Sequence, residues 1–134
     1  MLSDQQVVAF VGASHLDRST TFYRDVLGLT LVERNAFAAV FDAGGTMLRV
    51  TAVAGVTPAG YTVLGWRVTD IVAQVEGLAA AGVPFLRFEG MPQDALGIWT
   101  TPGSDRVAWF ADPDGNTLSL TEFTSPPDAR PPTR

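Results

Sequence analysis

Short apolar runs in this chain read as strands, interrupted twice by a helical pattern. Val7 to Gly12 is the first strand, and Ser14-His15-Leu16-Asp17 after it resembles a capping box, with Ser14 as N-cap and the Asp17 carboxylate near the helix start. Leu16, Thr20, Tyr23 and Leu27, with Phe22 and Val26 beside them, recur at three- and four-residue spacings, and Gly28 can end the helix in a left-handed conformation. Three strands are predicted next, Leu29 to Arg34, Ala36 to Asp42 and Thr46 to Val53, with Ala43-Gly44-Gly45 turning the last pair.

The same order then recurs. A strand is predicted over Thr62 to Val68 and a helix from about Asp70 to Ala81, stopped by Gly82; strands follow near Phe85 to Phe88, Arg106 to Ala111 and Thr117 to Phe123. Val8 matches Val63, Ser14 matches Thr69, and Leu27-Gly28-Leu29 matches Ala81-Gly82-Val83. An offset of about 55 residues exceeds solenoid repeats, so the pattern describes a duplicated βαβββ module. Asp112-Pro113-Asp114-Gly115-Asn116 has turn chemistry, and Met91 to Asp105 reads as a loop with one short strand at Gly97 to Thr100. One α+β domain is expected over residues 1–123, its modules at about 5–54 and 60–123, with a Pro-rich tail at 124–134.

Strand alternation sorts side chains onto two faces. Val7, Ala9 and Val11, then Leu48, Val50 and Ala52, then Leu64, Trp66 and Val68, then Leu118 and Leu120 form aliphatic faces suited to covering by helices. The opposite faces mix Val8, Phe10, Met47, Val63 and Phe123 with Arg49, Thr51, Arg67, Thr117, Ser119 and Thr121. Such a face is either the wet side of an antiparallel sheet or the lining of an apolar cavity with a few polar groups.

Composition narrows the chemistry. The chain has no cysteine, which excludes disulfides, thiolate metal sites and thiol nucleophiles. Nine basic residues scattered among fourteen acids give a net charge of −5, which argues against nucleic acid as a partner. No apolar run approaches the roughly 20 residues of a membrane span, and the first residues lack a secretory pattern, so a cytoplasmic protein with a small-molecule partner is expected.

Two stretches carry a family resemblance. Ser14-His15-Leu16-Asp17-Arg18-Ser19-Thr20-Thr21-Phe22-Tyr23-Arg24-Asp25-Val26-Leu27-Gly28-Leu29 resembles the first-module signature of the vicinal oxygen chelate superfamily, and Trp109-Phe110-Ala111-Asp112-Pro113-Asp114-Gly115-Asn116 resembles its second. That superfamily includes glyoxalase I, extradiol dioxygenases, fosfomycin-resistance enzymes and bleomycin-binding resistance proteins. The resemblance implies paired βαβββ modules in a U-shaped mixed sheet around a cavity, helices on the outer face, and commonly a homodimer.

Metal-using members place His, Gln or Glu ligands on the first strand of each module and Glu near the last. Aligned on the two signatures, those positions here are Val8, Arg49, Val63 and Ser119. None supplies the expected ligand, so no metal and no other cofactor is expected. His15, the only histidine, belongs to the helix cap, and Asp112 and Asp114 read as turn residues. The expected function is that of a glyoxalase/bleomycin-resistance-like protein binding a small organic molecule, anionic or aromatic, in a metal-free cavity lined by Phe10, Arg49, Thr51, Arg67, Trp99, Ser119 and Thr121. Arg49 either meets such a ligand or pairs internally with Glu122 or another acid. The alternative is an enzyme of the superfamily, a lyase, isomerase or dioxygenase with atypical metal ligands or none. No side chain is assigned a catalytic role for it, Glu122 being the one acid considered as a base.

Overall fold

The computed structural model of the chain describes residues 1–125. Its first module runs β1 (Val8–Ala13), α1 (Leu16–Thr21), a π-helical turn (Phe22–Val26), β2 (Thr30–Arg34), β3 (Ala38–Ala43) and β4 (Thr46–Ala52). The strands form a mixed sheet in the order β1-β4-β3-β2. Strands β1 and β4 are parallel, with Val8 opposite Met47 and Phe10 opposite Arg49; β4 and β3 are antiparallel, with Arg49 opposite Val40. A bulge between Leu31 and Glu33 interrupts β2 and leaves Val32 exposed.

The predicted alternation decides which face is dry. Val11, Ala13, Ala39, Phe41, Leu48 and Val50 are buried, as are Leu16 and Tyr23 of the helical segment, and α1 lies on β3 and β4. Phe10 and Met47, one strand position away from these, keep 62% and 44% exposure. The sheet therefore largely buries one face and leaves the other open along β1 and β4, while Ala38 and Val40 of β3 are covered on that face as well.

The helix start departs from the sequence reading. His15, not Ser14, occupies the N-cap position and makes no side-chain capping bond, because the Ser14 hydroxyl and amide are both engaged by the Asp114 carboxylate. The helix also ends early as an α-helix: the Leu27 N–H reaches the Phe22 carbonyl at 3.0 Å, a five-residue closure, before Gly28 turns the chain at φ 76°.

The second module runs β5 (Thr62–Arg67), α2 (Ile71–Ala80), β6 (Trp99–Thr100), β7 (Arg106–Ala111) and β8 (Thr117–Glu122), its sheet ordered β5-β8-β7-β6. Here the N-cap is as the pattern implies: Asp70 accepts from the Ala73 N–H at 3.1 Å. Ala108, Phe110, Leu118 and Leu120 are buried, and Phe110 packs between Trp66 and Phe85 at ring distances of 6.4 and 5.6 Å.

The strand expected near Phe85 to Phe88 does not form; one isolated bridge joins Phe85 to Phe110, and the short β6 takes its place beside β7. Side chains compete for the backbone groups a strand would need. Gln93 donates to the Leu86 and Gly97 carbonyls and accepts from the Phe88 N–H, while Arg87 donates to the Asp94 and Ala95 carbonyls.

Both halves thus keep the order βαβββ, and the fold is α+β. Two compact units divide the chain. The first comprises residues 1–64 with 111–118, so it includes the turn between β7 and β8; the second comprises 65–110 and the residues from 119 onward. Of the expected tail, only Thr124 and Ser125 lie within the described residues.

Candidate functional site

On the open face of the first sheet, Arg49 is half-buried at the centre of β4, between Phe10 on β1 and Val40 on β3. Two residues along in either direction, Met47 and Thr51 share its face. The nearest polar approach to its guanidinium is the Met47 sulfur, 4.0 Å from Nη1. A hollow of about 340 Å³ opens further along the sheet, lined by Val32, Val40, Asp42 and Met47 among others but not by Arg49.

The other described arginines show how unusual this is. Arg18 pairs with Asp114, Arg24 with Asp25, Arg34 with Asp17 and Arg106 with Glu122, and Arg87 donates to two carbonyls. Only Arg49 and Arg67 lack an oxygen partner among the described residues, in a chain that carries five more negative charges than positive.

Arg67 lies on β5, exposed, with its guanidinium 4.5 Å from the centre of the Phe123 ring, a cation–π contact. A hollow of about 260 Å³ lies beside these two residues. On the neighbouring β8, Ser119 is buried and Thr121 half-buried. Trp99 stacks on Trp109 at 6.1 Å, and Phe88 meets Trp109 edge-on at 5.3 Å. This aromatic cluster gives Trp99 packing partners of its own.

Glu122 is tied to structure on the other side of β8. Its carboxylate accepts from the Ile71 N–H at the start of α2 at 3.0 Å and from Arg106 at 2.8 and 3.2 Å. The Arg106 bonds first, then the Ile71 amide, hold its pKa below the ordinary glutamate range. A carboxylate so engaged is poorly suited to act as a base, and it does not serve as the internal partner considered for Arg49.

The densest polar network is one the sequence reading treated as a simple turn. Asp112, buried, accepts from the N–H groups of Asp114 and Asn116, from the Asn116 amide, and from the Tyr23 hydroxyl at 2.7 Å. Asn116 also donates to the Gly12 carbonyl at 3.0 Å, and Asp114 engages Ser14 and Arg18. Burial first, then the adjacent Asp112 charge, pushes the Tyr23 pKa far upward, so the phenol stays a donor. The two signature stretches are therefore one hydrogen-bonded assembly, and both aspartates are committed to it. His15 lies exposed at its margin, Nδ1 3.0 Å from the Ser14 hydroxyl.

Val8 and Arg49 lie on the open face of the first sheet; Val63 is exposed on β5 and Ser119 buried on β8. Taken sheet by sheet, neither pair fits a divalent ion: the first offers an aliphatic side chain and a guanidinium, the second an aliphatic side chain and a neutral hydroxyl. Nor do three or more His, Asp or Glu side chains cluster to hold a metal among the described residues.

This duplicated fold, with its paired signature segments, is that of a known superfamily. The chain belongs to the Glyoxalase/Bleomycin resistance protein/Dioxygenase superfamily, whose family model matches residues 5–120. Among solved structures it resembles the lactoylglutathione lyase from Agrobacterium tumefaciens at 18% identity and TM-score 0.70, covering 90% of this chain and 95% of that one. It also resembles the genomically encoded fosfomycin resistance protein FosX from Listeria monocytogenes at 15% identity and TM-score 0.71, covering 90% and 94%. A superfamily member from Sphaerobacter thermophilus is 25% identical with TM-score 0.66, covering 87% and 97%. No curated protein matches the chain in sequence.

Proposed function

We propose that the protein binds a small organic molecule bearing an anionic group, held on the open face of the first module by Arg49 with Phe10 and Thr51 beside it. The observation that carries this reading is the half-buried guanidinium, without an oxygen partner, set in register between the apolar side chains of Phe10 and Val40. Removing a guanidinium from water without an oxygen partner costs free energy that an oxyanion ligand returns as charge-assisted hydrogen bonds. Taken by itself, the open face of the second module offers ligand contacts of the same kind: hydroxyls at Ser119 and Thr121, Arg67, and the aromatic surface of Trp99. Binding without turnover is favoured over catalysis because Glu122, the acid considered as a base, is engaged by Arg106, and Asp112 and Asp114 by the network around the turn. Val8, Phe10 and Met47, exposed and adjacent on one face of the first sheet, form more apolar surface than isolated exposed residues would, which supports a homodimer, and the absence of cysteine is compatible with a cytoplasmic setting.

The test is calorimetric titration of the full chain with a set of aromatic and aliphatic carboxylates, phosphates and phosphonates, compared with their neutral amides. Saturable binding of anions, lost with their amides, is the expected outcome. Equal response to anions and amides, or none to either, refutes the reading.

A further inference from the structure

The positions that the family resemblance matches to metal ligands read Val8 and Arg49 on the first sheet and Val63 and Ser119 on the second. On the first sheet those positions offer an aliphatic side chain and, with no ion present, already one positive charge, that of Arg49. A dication there would meet a like charge, and neither of the two positions supplies a carboxylate. We infer that the Arg49 guanidinium takes the place of the metal as the positive centre of the binding face, so that this chain holds its anionic ligand with no divalent ion.

The inference rests on the anion-binding reading and adds to it the source of the charge and the shape of the ligand group. Three observations on the first module support it. Arg49 lies at mid-strand, opposite Phe10 and Val40, where the strand itself fixes the base of the side chain. Its guanidinium has no carboxylate or carbonyl partner among the described residues, while other arginines of the chain do. The side chains next to it on that face are Phe10, Val8, Val40 and Met47, and the two carboxylates that share the face, Glu33 on β2 and Asp42 on β3, are bonded to Asn35 and to the Gly45 N–H rather than to Arg49. A guanidinium differs from a metal ion in what it accepts: a planar fork of N–H donors suits a carboxylate, phosphonate or phosphate presenting two oxygens side by side. It can polarise an oxygen, but it opens no coordination site for an attacking water. The ligand class is therefore a two-oxygen anion bound in its ionised form.

The test follows the Arg49 Nε–Hε resonance of the isotopically labelled full chain. Phenylphosphonate and benzoate are titrated in the presence of EDTA, then in the presence of equimolar Zn²⁺, Ni²⁺ or Mn²⁺, and metal retained after equilibrium dialysis is counted by mass spectrometry. Expected are a saturable Arg49 shift that is the same with EDTA and with metal, and far less than one retained ion per chain. Arg49→Ala should weaken phenylphosphonate binding about 10- to 100-fold with the backbone spectrum otherwise preserved, since a charge-assisted pair is worth about 1.5–3 kcal/mol. Arg49→Lys, which keeps the charge but loses the fork, should fall between the two. One ion retained per chain, or anion binding that appears only with metal, would overturn the inference while leaving the anion-binding function standing. No Arg49 shift with either probe under any condition would overturn both.

Discussion

Changing Tyr23 to phenylalanine deletes one oxygen from the interior and isolates the bond that joins the helical segment to the β7–β8 turn. The Tyr23 hydroxyl is fully buried and donates to Asp112 Oδ2 at 2.7 Å. A hydrogen bond to a charged acceptor contributes about 1.5–3 kcal/mol. Asp112 would keep its three other donors, the N–H groups of Asp114 and Asn116 and the Asn116 amide, so its carboxylate is not orphaned and the lower part of that range applies. We expect a loss of about 1.5–2 kcal/mol in urea unfolding at unchanged m-value, or about 5–10 °C in Tm for a chain of this size. The pH dependence adds a second signature. Because the folded-state phenol pKa is raised by burial and by Asp112, its stabilising contribution is complete below the unfolded tyrosine pKa of about 10 and is lost as pH rises beyond it. The wild-type protein should therefore lose stability more steeply than Tyr23→Phe above about pH 10, and the two curves should converge. A difference under about 0.5 kcal/mol at neutral pH, or parallel curves into alkali, would refute this account of the network.

Other changes probe the remaining elements. Glu122→Gln should cost about 0.5–1 kcal/mol by weakening the partly exposed pair with Arg106. Since Glu122 has a depressed folded-state pKa, wild type alone should lose that contribution as pH falls below the ordinary glutamate value, as followed by acid titration of thermal unfolding. Gly28→Ala and Gly115→Ala both force a side chain into positive φ, but a Cβ at residue 28 meets open space whereas one at 115 comes within 3.2 Å of Pro58 Cγ. Denaturant unfolding should show about 1 kcal/mol lost for the first and a distinctly larger loss for the second. Gln93→Ala, which removes three bonds within the loop before β6, should speed amide exchange at Phe88 while leaving β7 protected.

How far the sequence carried these conclusions depends on whether the deciding partner was local. Period-two alternation separated Phe10 and Met47 from Val11, Leu48 and Val50, and Asp70 capped α2 as its neighbours implied, because strand faces and helix caps are set within a few residues. The Ser14 cap failed because its competitor, Asp114, lies 100 residues away. Phe85 to Phe88 has strand composition, yet Gln93 and Arg87 take up the nearby backbone groups, an outcome no propensity records. At the candidate site, the placing of Arg49 on the open face with Phe10 was legible from alternation alone. That Glu122 is claimed by Arg106 and by the start of α2, and that Trp99 stacks on Trp109, required the fold.

The closure of the first unit by residues 111–118 has a consequence for synthesis on the ribosome. The β1–β4 sheet can pair as soon as its own residues emerge, but the acceptors for Tyr23 and Ser14 and the donor to the Gly12 carbonyl lie at positions 112–116. A nascent chain stopped after β5 would hold a sheet whose helix still lacks its anchors. The module translated earlier is thus the one that waits: emergence of residues 112–116, rather than completion of β4, is the point at which we expect the first module to gain resistance to proteolysis.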